Sequence, residues 1–169
     1  MKKRGALTAK LGKYLEDRSE RLEITVYHDH GEGYTNIGEI QAYIGKGMRQ
    51  GTGMAEVDFA ILRQGKVILL IEVEEFADRP KTIIGDALAV CLSGKIEFKG
   101  EPLKVGEGTT LLVACKRAKG NHKLRLEEIE SRINNLIMNA DEDGLKIKDV
   151  KLVLFDDLVD LFETIKTYL

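Results

Sequence analysis

The sequence predicts an α/β fold, a mixed central sheet whose hairpin carries acidic residues, with helices packed on both faces. Three observations predict it. Two apolar, β-branched runs between Glu56 and Glu75 flank Arg63-Gln64-Gly65-Lys66 and read as an antiparallel hairpin, with Gly65 supplying the positive φ of a tight turn. Val67 to Ile71 is apolar on both faces, the pattern of a central strand covered from each side. Beyond the hairpin, helix-spaced and strand-spaced apolar segments follow one another, which implies a crossover connection and parallel pairing beside it.

With 169 residues the chain reads as one domain, 1–169, long enough to bury a core without disulfides or structural metals. Cys91 and Cys115 form no CxxC pair, which argues against zinc and redox motifs and for a reducing compartment. Neither a membrane span nor an apolar signal core after Met1-Lys-Lys-Arg is visible, so a soluble, cytoplasmic protein is expected. The net charge of −2 gives no global argument for a nucleic-acid partner, but its distribution is uneven. Residues 1 to 21 carry seven Lys/Arg against three acids, and residues 116 to 125 carry five with no acid, whereas residues 126 to 169 carry eleven acids against five bases. Such a distribution would suit a protein that meets phosphates on one face, and it equally fits solvated surface charge.

Taken in order, Leu7, Leu11, Tyr14 and Leu15 fall at helical spacing and predict a helix over about residues 5 to 19, on which Glu16 and Glu20 read as exposed carboxylates. Leu22, Ile24 and Val26 alternate with polar residues and mark a strand. It ends in Tyr27-His28-Asp29-His30-Gly31-Glu32-Gly33, where two histidines at i and i+2 invite a metal reading. No second Cys/His cluster completes a tetrahedral site, and a polar turn is the better assignment. Ile37, Ile40, Tyr43 and Ile44 fit a short helix or an irregular strand.

Gly45 to Gly53 holds four glycines in nine residues, without the Gly-Lys-Ser/Thr of a nucleotide-binding loop. It reads as a flexible connector, or alternatively as a loop whose backbone amides, Lys46 and Arg49 close over a nucleic-acid backbone beside Asp58. Pro80 opens a helix of about residues 80 to 93, closed by Gly94. Lys95 to Gly108 is a connector with a small ribbon, and Thr109 to Cys115 a buried strand. Lys116, Arg117 and Lys119 follow at its end, placed to bind phosphate along the same edge as the hairpin acids. A helix over about 123 to 139, a strand from Val150 to Phe155 and a last helix through Leu158, Leu161, Phe162 and Ile165 complete the chain.

The hairpin is where chemistry concentrates. Asp58 sits early in its first run, and Glu72 and Glu74 end the second. Carboxylates emerging from a buried sheet lose hydration and repel one another, and a hard divalent cation with oxygen ligands, such as Mg2+, compensates both costs. Glu56, two residues from Asp58, is a further possible acid of the site. Asp58 and Glu72 share a face only in one hairpin register. A strict two-residue Gln64-Gly65 loop pairs Asp58 with Ile71, whereas a three-residue loop pairs it with Glu72, as the site requires.

Asp58, thirteen residues, then Glu72-x-Glu74, on a hairpin followed by a helix, resembles the motif of the PD-(D/E)xK nuclease superfamily, which includes restriction endonucleases and Holliday-junction resolvases. The resemblance spans residues 1 to 120 as a pattern of elements. It implies a restriction-endonuclease-like core, Asp58 and Glu72 as ligands of Mg2+ or Mn2+, and DNA as substrate. Glu74 stands where the family has a lysine. Some family members end the motif in a second glutamate and others move the lysine to the following helix, where Lys81 would serve. The resemblance also implies a homodimer. The expected function is thus a metal-dependent nuclease hydrolysing DNA phosphodiester bonds. The rival expectation is a catalytically degenerate relative that binds nucleic acid or serves assembly.

Overall fold

A computed structural model describes residues 5–31, 36–44, 53–75, 80–117, 125–139 and 145–169. Helices α1 (Ala6–Glu16) and α2 (Ser19–Leu22) precede β1 (Thr25–His28) and β2 (Ile40–Tyr43). Strands β3 (Gly53–Glu56), β4 (Phe59–Arg63) and β5 (Lys66–Glu74) lead to α3 (Pro80–Cys91). Strands β6 (Lys95–Phe98), β7 (Glu101–Pro102) and β8 (Val105–Lys116) then lead to α4 (Leu126–Met138), β9 (Ile147–Phe155) and α5 (Leu158–Lys166).

The main sheet has the order β1-β4-β5-β8-β9. Its first three strands pair antiparallel, and β5, β8 and β9 pair parallel, as the strand–helix–strand successions predict. Alternation along the central strands divides the core. Ala60, Leu62, Val67 and Leu70 pack with Ile83, Ala87 and Val90 of α3 and with Leu126 and Ile133 of α4. Phe59, Ile61, Leu69, Ile71 and Val73 pack with Leu11 and Leu15 of α1 and with Leu161, Phe162 and Ile165 of α5. Helices therefore cover both faces.

Three local readings change. Leu22 ends α2 and does not open the first strand, because the chain turns at Glu23 with a φ of 54°. Glu56, read as lying next to the hairpin, is in a strand of its own. It ends β3, which joins β2, β6 and β7 in a second, four-stranded antiparallel sheet. The undecided segment around Ile40 is a strand of that sheet, and the small ribbon after Lys95 extends it. The chain passes between the sheets at Val57 and Asp58, with Val57 N–H donating to Ile40 O at 2.9 Å.

The hairpin register is reached by a route the sequence did not suggest. The loop is a strict two-residue Gln64-Gly65 turn, with φ of 51° and 73°, the positive pair of a type I′ turn. It pairs Arg63 with Lys66 and Leu62 with Val67, yet Ile61 pairs with Leu69 and Phe59 with Ile71. Ile68 is the extra residue of a β-bulge, which shifts the register by one and sets Asp58 and Glu72 opposite each other beyond the last pair. The bulge supplies the residue that a three-residue loop was expected to supply.

Candidate functional site

Asp58 lies in the bend between the sheets, and its Oδ2 accepts the backbone N–H of Val73 at 2.7 Å. Glu72 and Glu74 have the parity of Leu70 and so emerge on the α3 face of β5. Burial is the main reason that the Asp58 carboxyl is pushed up to about 7. The negative charges of Asp29 and Glu75 add to it, against the Val73 hydrogen bond and His30. Glu72 is held well above the ordinary glutamate value, first by burial and then by the charges of Asp58, Asp86, Asp29 and Glu74. The two motif acids thus meet in one poorly solvated place, and among the described residues no lysine or arginine pairs with either.

The turn after β1 joins this place, contrary to its reading as a polar loop. Asp29 N–H donates to Asp58 O at 3.2 Å. His30 Nδ1 is in hydrogen-bond contact with Asp29 Oδ1 and 3.9 Å from Asp58 Oδ1. Ligand atoms of Asp29, His30 and Asp58 all lie within 4.8 Å of one another, so the three side chains are spaced to hold a metal ion. Burial raises Asp29, partly offset by the bond to His30. For His30, burial alone lowers the value, but the bond to Asp29 and the charges of Asp29, Asp58 and Glu75 together raise it.

Helix α1 is fastened to the same region at both ends. Leu7 N–H donates to Glu75 Oε1 at 3.0 Å. At the other end Glu16, expected to be exposed, is largely buried, with Oε1 3.5 Å from Nε2 of the fully buried His28. Gly12 makes room for that histidine, since a Cβ there would stand 2.5 Å from its Nδ1. Glu20 is exposed, as expected.

The remaining predicted residues divide. Glu74 pairs with Cys115 across the parallel ladder, so Lys116 and Arg117 follow at the same end of the sheet as the acids. Arg117 Nε donates to Asp156 Oδ1 at 2.9 Å in an exposed ion pair, which is weak enough for a competing anion to displace. Lys81 is exposed on the first turn of α3 and makes no ion pair with Asp58 or Glu72. Glu56 is exposed on β3, and its charge reaches Asp29. Lys46, Arg49 and Lys119 lie outside the described residues.

Asp86, Glu75, Asp29 and His30 are the site groups that the sequence reading did not assign. Asp86 had a visible signal, a lone carboxylate inside the Ile83-Ile84-Ala87-Leu88 stripe of an otherwise apolar helix face. Neither the family models nor the curated proteins nor the solved structures compared with this chain match it.

Proposed function

We propose that the chain is a metal-dependent nuclease hydrolysing DNA phosphodiester bonds, built on a restriction-endonuclease-like core of the PD-(D/E)xK type. The observation that carries this reading is the convergence of Asp58, in the bend that enters the buried hairpin, with Glu72 on its second strand. The mixed sheet, with a hairpin followed by a helix and a parallel strand, supports the core assignment.

The acids fit a divalent cation. Burial makes their ionised forms costly, and Mg2+ or Mn2+ offsets that cost with oxygen ligation. A bound ion supplies charge stabilisation at the scissile phosphate and a bound water of lowered pKa. Asp58 and Glu72 would hold the ion, and the Val73 N–H fixes the carboxylate of Asp58. Glu74, two residues further on the same face, orients the attacking water or takes its proton, and Lys81 is the residue of α3 that would assist. Lys116 and Arg117, just past the partner of Glu74, hold the DNA backbone.

One observation favours the rival reading of a binding module, namely that no lysine stands against the two acids among the described residues. Cleavage of labelled linear, single-stranded and four-way-junction DNA with Mg2+ or Mn2+ decides between them. Cleavage by the wild type that is lost in both Asp58→Asn and Glu72→Gln is the expected result. DNA binding without cleavage, indifferent to both substitutions, selects the binding module.

A further inference from the structure

We propose that Asp29 and His30 complete the ion site, with His30 Nδ1 as its nitrogen ligand, and that the site takes a first-row transition-metal divalent ion in preference to Mg2+. The inference rests on the reading of Asp58 and Glu72 as ion ligands and adds the identity of the ion.

Geometry carries it. One atom from each of Asp29, His30 and Asp58 falls within a 4.8 Å span. An ion with ligands at about 2.1 Å sets adjacent ligand atoms about 3 Å apart and opposite ones about 4.2 Å apart. The 3.9 Å between His30 Nδ1 and Asp58 Oδ1 lies in that range, so an ion enters by small side-chain adjustments with no strand moved.

A second observation points to a ligand independently of this cluster. Glu72, partly buried on the neighbouring strand and opposite Asp58 in the hairpin register, has no hydrogen bond or ion pair among the described residues. A half-buried carboxylate without a protein donor is served by a cation between it and Asp58.

The orientation of His30 is built in. His28 Nδ1 lies 2.7 Å from His30 O and fixes that backbone. The Cδ2–Nε2 edge of the ring packs on Gly5, where a Cβ would stand 2.1 Å from Cδ2 and where φ is 78°. Nδ1 is thereby left facing the two aspartates. An imidazole nitrogen among carboxylate oxygens suits transition-metal ions, whereas Mg2+ favours an all-oxygen octahedron that retains several waters.

The test is pulsed electron paramagnetic resonance of Mn2+ bound to the full chain, with titration of Mn2+ and competition by Mg2+. The expected result is a directly coordinated nitrogen-14 signal in the wild type that is absent in His30→Gln. Mn2+ affinity should fall about tenfold or more in that variant, with Mg2+ affinity changing less. The wild-type spectrum needs no variant to fold, and thermal melting checks the His30→Gln chain. Ion binding that depends on Asp58 but shows no nitrogen signal overturns the role of His30 and leaves the Asp58–Glu72 reading standing. Mn2+ binding that is absent, or indifferent to Asp58→Asn, overturns both.

Discussion

Val73 donates its backbone N–H to Asp58 Oδ2 at 2.7 Å, which fastens the aspartate to the strand that carries Glu72. The bond fixes a carboxylate where burial and the charges of Asp29 and Glu75 oppose its ionisation. Asparagine at 58 keeps the acceptor for Val73 and removes the charge. The rise of the Asp58 carboxyl from 3.8 to about 7 corresponds to ~4 kcal/mol at most by linkage, and relaxation of the site reduces it. We expect Asp58→Asn to stabilise the ion-free protein at pH 8 by about 1–3 kcal/mol and to remove stabilisation by added Mn2+. Urea unfolding with and without the ion measures both. A less stable variant at pH 8 would mean that the ionised carboxylate is well accommodated.

The same groups set a pH dependence with a definite sign. Asp58 and Glu72 have folded values above the ordinary 3.8 and 4.5, so between about pH 4 and 7 the folded chain retains protons that the unfolded chain has released. Stability therefore falls as pH rises through that window, with Glu72 extending the loss upward. His30, raised above 6.5, acts in the same direction, because its bound proton is lost as pH climbs past its folded value. Without metal the protein should melt higher at pH 5 than at pH 8. Added Mn2+, which binds the deprotonated carboxylates, should recover the difference at pH 8 and do little at pH 5. Melting temperatures at both pH values, with and without ion, test this. A flat profile without ion would contradict it.

The covered strand β5 and the placement of α3 were legible because they depend on local pattern, whereas the division into two sheets was not. The two-sided apolar run of Val67 to Ile71 could only be a covered strand, and the Ile83, Ala87 and Val90 spacing could only be a helix packed by one face. The bulge at Ile68 was not legible. The contacts beside it come from β8, where Gly106 and Thr109 meet the Val67 backbone from a distant part of the sequence. Asp29 and His30 were visible as residue types but not as neighbours of Asp58. Their approach depends on β1 pairing with β4, where His28 faces Phe59, and no local signal encodes that pairing.

The bulge gives a third prediction, since it is what sets Glu72 opposite Asp58. The hydroxyl of the fully buried Thr109 lies 2.7 Å from Val67 O and 2.8 Å from Gly106 O, and so donates into the carbonyls beside the extra residue. Gly106 permits the approach, because a Cβ there would stand 3.1 Å from Val67 O. Thr109→Val keeps the shape and removes the donor, and should cost about 1–3 kcal/mol. The substitution lies at the opposite end of β5 from the acids, yet it should also weaken Mn2+ binding by loosening the register. Unfolding and ion titration of the same sample measure the two effects. Lost stability with unchanged ion affinity would show that other contacts hold the bulge.

The far edge of the main sheet yields the last prediction. β9 is an edge strand, and backbone groups of Val150 and Leu152 on it are taken by side chains of α4. Asn134 Oδ1 accepts from Val150 N–H at 2.8 Å while its Nδ2 donates to Val150 O at 2.9 Å, and Glu130 Oε2 accepts from Leu152 N–H at 2.8 Å. An exposed edge is a template for strand addition, and this one is occupied along part of its length. Alanine at 134 leaves a donor and an acceptor of β9 without those partners, and should cost about 1–3 kcal/mol. It should also favour edge-to-edge association, seen as a concentration-dependent rise in scattered light, while ion binding at the opposite side of the sheet stays unchanged. Destabilisation without association would assign Asn134 to the packing of α4 alone, because the edge would then be guarded by Glu130 and the helix itself.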